Sequence, residues 1–173
     1  IRTLLTHFEN NGHPFVRVWL DSLMEQGDGL YAVLRAEPDR QVVYDSVVVR
    51  GTVRTSERYL QACIGIEPGD LYNEALLNAV ETRLKELPFV TQKQRPYVQF
   101  APESTKLYLF LDAKKASSIN GILGLQPDAI TGKVNLTGDL DLRLRNALRR
   151  GEAIALNWRR LQNATQDLKV AGN

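Results

Sequence analysis

From Lys133 to Arg145 the sequence alternates for longer than an ordinary globular strand requires. Val134, Leu136, Leu140, Leu142 and Leu144 share one phase with Gly138, while Lys133, Asn135, Thr137, Asp139, Asp141, Arg143 and Arg145 share the other. Side chains of a strand point to opposite faces with period 2, so this segment belongs between an apolar medium and a polar one. Globular strands average about 5 to 6 residues, whereas a tilted crossing of a bilayer takes about 9 to 11. Length thus favours a membrane barrel strand over a soluble meander. Asn146 to Gly151 makes a tight connection, after which Ile154, Leu156 and Trp158 alternate against Ala153, Ala155 and Asn157. Ser118 to Leu125, with Gly121 and Gly124, forms a strand before these two. On this reading the lipid-facing row is Val134, Leu136, Leu140, Leu142, Leu144, Ile154, Leu156 and Trp158, the tryptophan lying near the end of its row as an interfacial aromatic does.

Upstream the texture is that of a mixed α+β module. Val43 to Arg50 is rich in β-branched residues and stops at Gly51, which predicts a buried strand. Ser56 is placed to cap a short helix with Tyr59, Leu60, Cys63 and Ile64 on its apolar side, closed by Gly65. Asn73 caps a longer helix with Leu76, Val80, Leu84 and Leu87 inward, Tyr72 and Leu77 are spaced for a hydrophobic staple, and Pro88 ends it. Phe89 to Ala101 is extended but interrupted by Pro96, whose missing N–H makes it an edge strand. Lys106 to Asp112 alternates Leu107, Leu109 and Leu111 against Tyr108 and Phe110, as an inner strand does. The order is strand, helix, helix, strand, strand.

Part of that order occurs earlier in the chain. Leu4, Leu5 and Phe8 mark a short helix ending at Asn11-Gly12; Phe15 to Leu20 and Leu30 to Ala36 are strands, separated by a polar loop from Asp21 to Gly29. His13-Pro14-Phe15-Val16 follows the first helix as Leu87-Pro88-Phe89-Val90 follows the later one. The match in element order predicts tandem units, residues 1–37 being the C-terminal part of one copy, 42–114 a complete copy, and 117–173 the strands beyond. The expectation is a chain that begins inside a module and ends after too few strands for a barrel, hence a piece of a longer protein.

Composition narrows the chemistry. Lysine and arginine total 22 against 20 acidic residues, too even to signal nucleic acid. Arg143, Arg145, Arg149, Arg150, Arg159 and Arg160 form the one dense basic cluster, which fits a barrel's polar inner face and its turn better than a phosphate-binding patch. The single cysteine, Cys63, excludes an internal disulfide and sits in a helical pattern as a small hydrophobe. His7 and His13 show no metal-binding spacing, Asp139 and Asp141 read as a solvated row, and neither a phosphate loop nor a nucleophile elbow is present. No catalytic residue, metal site or cofactor is expected.

Taken together, these residues resemble the outer-membrane proteins in which periplasmic polypeptide-transport-associated (POTRA) modules precede a β-barrel, of the BamA type. Val47-Val48-Val49-Arg50-Gly51 resembles the first POTRA strand and its following glycine, and Tyr72 to Leu87 the second helix. Leu87-Pro88-Phe89-Val90 resembles the helix-to-strand junction, and Asn10-Asn11-Gly12-His13-Pro14-Phe15 the same junction one module earlier. Asn146-Ala147-Leu148-Arg149-Arg150-Gly151-Glu152 is similar to the turn between early barrel strands.

The resemblance implies an α+β fold of tandem POTRA modules, helices on a three-stranded sheet, followed by the first antiparallel strands of an outer-membrane barrel. It also implies a non-enzymatic assembly factor, working without nucleotide or metal, whose partners are unfolded outer-membrane or secreted polypeptides, outer-membrane lipid and accessory assembly subunits. The client-binding edge in the family is the strand after the second helix, which falls here on Tyr97, Val98, Gln99 and Phe100. A dedicated secretion transporter of the same architecture, or a barrel displaying an upstream enzyme, are the alternatives.

Overall fold

The computed structural model describes residues 1–127, 132, 134–160 and 166–172. Numbered in chain order, its elements are α1 (Arg2–Glu9), β1 (Arg17–Gln26), β2 (Gly29–Glu37), β3 (Ser46–Arg50), α2 (Glu57–Ile64), α3 (Glu74–Lys85), β4 (Val90–Phe100), β5 (Thr105–Ala113), β6 (Ser118–Pro127), β7 (Val134–Arg145), β8 (Ala153–Arg160) and β9 (Gln166–Gly172). They form three sheets: the β1-β2 hairpin, a three-stranded sheet of order β3-β5-β4, and a four-stranded sheet of order β6-β7-β8-β9.

The middle sheet carries the buried core. Strand β3 runs parallel to β5 and β4 antiparallel to it, so β5 is the inner strand and β4 an edge. Leu107, Leu109 and Leu111 have no exposed surface and meet Leu60 and Ile64 of α2 with Val80 and Leu84 of α3. Both helix starts are capped as their sequences require: Ser56 Oγ accepts from the Tyr59 N–H at 3.2 Å, and Asn73 Oδ1 from the Leu76 N–H at 2.9 Å. Gly65 closes α2 in the left-handed region at φ 70°. Strand β3 starts three residues later than the β-branched run suggests, because Val43 instead bridges Leu71 and brings Tyr44 into the core. Helix α3 stops at Lys85, before Pro88, with Leu87 and Phe89 turned into the core. Cys63 is half-buried and packs against the core's margin.

Two further expectations differ. The presumed Asp21 to Gly29 loop is mostly strand: β1 continues to Gln26 and turns into β2 through Gly27-Asp28 alone. A register shift between Asp21 and Met24, with Ser22 at φ 53°, marks a bulge that breaks the two-residue alternation on which the sequence reading relied. Arg35 nonetheless pairs with Asp21 at 2.5 Å, and Arg17 with Glu37 at 2.9 Å, across the hairpin. The second difference is β9, which the sequence reading did not anticipate. Lys133, expected to open β7, lies outside the described residues.

Helix α1 and the β1-β2 hairpin repeat the order of α3, β4 and β5. They join the middle unit through a polar seam. Asn10 Oδ1 accepts from the Ala75 N–H and its carbonyl from Asn73 Nδ2, both at 2.9 Å, while the Gly12 carbonyl accepts from the Val42 N–H at 2.7 Å.

Candidate functional site

Strand β4 presents two different ends. At its N-terminal half the register with β5 shifts between Gln92 and Gln94 and again between Gln94 and Tyr97, the second shift spanning Pro96. From Tyr97 to Phe100 the pairing is regular against Tyr108, Leu107, Lys106 and Thr105. The four residues expected to receive clients are thus contiguous on a regular stretch of edge, but their side chains do different things. Tyr97 stacks on Tyr108 at 5.2 Å and on Phe110 at 5.9 Å between ring centres, on the sheet's outer face. Val98 turns inward and is half-buried against the core. Gln99 is exposed.

Phe100 is 36% exposed, its ring flanked by one aromatic from the preceding unit and one from its own. Its ring lies 4.8 Å from that of Phe15 and 5.5 Å from that of Tyr72. Immediately beyond it, the Arg40 guanidinium donates to the carbonyl of Ala101 at 3.0 Å and to that of Pro102. An extended chain pairing with this edge therefore meets backbone from Tyr97 to Gln99 and an end closed just past Phe100, where Arg40 takes the Ala101 and Pro102 carbonyls. The sequence reading missed Phe15 and Arg40, whose contacts with the edge span the two units and leave no short-range pattern.

The last sheet sorts its residues by face with few exceptions. Cross-strand partners share a face, and the register aligns Ile119 with Leu142, Leu123 with Gly138, and Leu125 with Leu136. On the other side of β7, Leu140 aligns with Trp158, Leu142 with Leu156, and Leu144 with Ile154; Trp158 and Leu156 in turn align with Leu168 and Val170. The structure brings Val134, Leu136, Leu140, Leu142, Leu144, Ile154, Leu156 and Trp158 onto one apolar face, joined by five residues the sequence reading did not include: Ile119, Leu123, Leu125, Leu168 and Val170. Several are strongly exposed, Leu125 at 74% and Val170 at 65%. In β6 the alternation is broken by Ile122 beside Leu123, and in β9 it runs over only 7 residues.

The opposite face is polar apart from Ile122, which aligns with Asp139, and it carries two ion pairs. Arg159 pairs with Asp139 at 2.7 Å across β7 and β8, and Arg143 with Asp141 at 3.0 Å along β7. The two carboxylates thus each hold an arginine, which suits a solvated row. Arg160 departs from the expected polar placement: it aligns with Gly138 and Gln166, in the apolar phase at the end of β8. A strand end is where a long cationic side chain can keep its stem on apolar surface and its head in water.

Among the described residues there is no cluster of three or more histidine, cysteine or acidic side chains arranged to hold a metal. His13 Nδ1 donates to the Asp39 carbonyl at 2.8 Å in the seam between units. None of the described helices is long and apolar enough to cross a membrane, which says nothing of strands.

Residues 42–114 match the family model POTRA, "Surface antigen variable number repeat". No curated protein sequence matches the chain. Among solved structures, BamA from Haemophilus ducreyi lacking POTRA domains 1–3 is similar over 99% of this chain and 32% of its own, with a TM-score of 0.63 at 13% identity. BamA POTRA3–5 from Haemophilus influenzae aligns over 65% of this chain and 47% of its own at 14% identity with a TM-score of 0.41. CdiB from Acinetobacter baumannii aligns over 86% of this chain and 26% of its own at 14% identity with a TM-score of 0.43. The chain spans about a third of the length of the Haemophilus ducreyi protein it resembles, so that likeness describes the fold of this stretch. Residues 42–114 match the POTRA family model, and the chain shares with BamA the fold of this stretch, an α+β unit followed by an antiparallel sheet.

Proposed function

We propose that this chain belongs to an outer-membrane protein, without enzymatic activity, that receives unfolded polypeptides in the periplasm and delivers them to its own barrel. Its units are the C-terminal part of a POTRA module at 1–37, a complete module at 42–114, and barrel strands over 117–173. The observation that carries the reading is the position of a POTRA module with a regular free edge directly before a sheet whose two faces divide into apolar and polar. An exposed edge offers unpaired N–H and C=O groups, so an extended client can add as a further strand with little demand on its sequence.

In this reading Tyr97, Val98 and Gln99 supply the pairing backbone, and Phe100 belongs to the closed end. Val134, Leu136, Leu140, Leu142, Leu144, Ile154, Leu156 and Trp158 face lipid, and the Asp139–Arg159 face lines the barrel interior. Neither nucleotide nor metal takes part, and nucleic acid is not a partner. Accessory assembly subunits are compatible partners for the rest of the module's surface. The test is photo-crosslinking from a benzoyl-phenylalanine placed at Gln99, with and without Val98→Pro. The expected result is a ladder of client adducts that Val98→Pro reduces about tenfold while the module keeps its fold by circular dichroism. Unchanged adducts in a folded Val98→Pro protein would remove the edge from the account.

A second reading of the same order of units is a transporter dedicated to one secreted polypeptide. Edge binding serves both, so the distinction lies in which proteins fail to reach the outer membrane when this one is lost.

A further inference from the structure

The turn joining β7 to β8 is shaped by its own hydrogen bonds. Asn146 and Arg149 hold left-handed backbone at φ 55° and 63°, and Gly151 at 78°. The Asn146 side-chain carbonyl accepts from the Gly151 N–H at 3.0 Å. The Glu152 carboxylate accepts from the Leu148 N–H and, at 3.1 Å, from the Arg150 N–H, while the Glu152 backbone carbonyl accepts from the Asn146 N–H at 2.8 Å.

Held in this form, the turn meets the segment that opens α2. Asn146 Nδ2 donates to the Arg54 carbonyl at 3.0 Å. The Arg149 carbonyl accepts from the Ser56 N–H at 2.8 Å and from the Thr55 hydroxyl at 3.1 Å, and that hydroxyl also lies 3.3 Å from Asn146 Oδ1. Gly151 sits so closely on α2 that a Cβ there would lie 2.0 Å from Tyr59 Cζ and 2.2 Å from its hydroxyl. Backbone, side chain and shape therefore converge on one small patch, and the turn's left-handed residues are what aim its carbonyl at the patch.

We infer that residues 54–59 of the POTRA module are a receptor surface for the 146–152 turn of this same chain, and that this contact fixes the angle between the module and the β6-β9 sheet. The seam at the other end of the module has a comparable form, Asn10 meeting the start of α3 as Arg149 meets the start of α2. The module is thereby gripped at both helix starts, once by each neighbour. A displacement of the module is carried to the β7-β8 hairpin rather than lost in a flexible joint. This stands apart from where clients bind.

The test uses pulsed double electron–electron resonance on the protein in detergent micelles, with spin labels at Glu86→Cys and Lys169→Cys in a Cys63→Ala background. The expected result is one narrow distance distribution. Gly151→Ala should broaden it at least twofold, and adding Tyr59→Leu, which removes the ring tip that the new methyl strikes, should narrow it again. Thr55→Val, which leaves the turn's own hydrogen bonds intact, should broaden it in the same direction and keeps the test decisive if Gly151→Ala does not fold. A broad distribution in the parent overturns the inference, as does a narrow one in both Gly151→Ala and Thr55→Val. Failure of Tyr59→Leu to narrow the Gly151→Ala distribution overturns it too, since the effect would then be strain within the turn.

Discussion

Tyr44 is 1% exposed, and its hydroxyl faces the Asn73 backbone without closing a hydrogen bond to any described residue. A buried polar group left unpaired carries its desolvation cost uncompensated, so Tyr44→Phe should leave the module as stable or gain about 1 kcal/mol in urea denaturation. Leu109→Ala should act in the other direction, costing about 2–5 kcal/mol, because its site at the centre of β5 is closed on all sides. Burial also pushes the Tyr44 and Tyr59 phenols up to about 12. A phenol that ionises near 10 when unfolded and higher when folded binds its proton more tightly in the native state. Stability supplied by the neutral rings is therefore complete below pH ~10 and falls as pH rises toward 12, which a series of urea midpoints from pH 8 to 11.5 should show. The Ser56 and Asn73 caps were legible in the sequence because a cap is a contact over three residues. The left-handed Asn146 and Arg149 were not, since their conformation is held by Glu152 and by contacts with residues more than ninety positions away.

Elements were legible where alternation ran unbroken. Strand β5 shows buried and half-buried residues in strict succession, as Leu107, Leu109 and Leu111 predicted. Strand β1 did not yield, because its bulge changes phase within Asp21-Ser22-Leu23-Met24 and puts two polar residues and then two apolar ones in succession. In the last sheet, β7 disclosed the two faces and β6 and β8 fell into register on them, with the unanticipated β9 following on β8. If the apolar face meets lipid, a charge on it carries a cost that the other face does not. Leu140→Arg should cost about 2–4 kcal/mol in unfolding from phospholipid vesicles, and Thr137→Arg close to nothing. Equal costs would remove lipid from that face. The Asp139–Arg159 pair is largely exposed, so Asp139→Asn should change stability by less than about 1 kcal/mol.

At the scale of the molecule, the order of units was readable from the repeated helix-to-strand junctions, while the way the units are joined was not. Phe15 against Phe100, Arg40 on the Ala101 carbonyl and Gly151 against Tyr59 each link residues far apart in sequence, and none belongs to a short motif. Those joins hold residues 42–114 between the α1-β1-β2 unit and the β6-β9 sheet, the arrangement that the proposed last handover of a client before the membrane requires. The most direct test of that role is depletion of the protein in its own cell followed by quantitative proteomics of the outer membrane. General assembly requires that many unrelated barrel proteins fall together, by more than about threefold, and accumulate or are degraded in the periplasm. Loss of a single exported polypeptide, with the outer-membrane barrels at their normal levels, would contradict general assembly and assign the chain to a dedicated transporter.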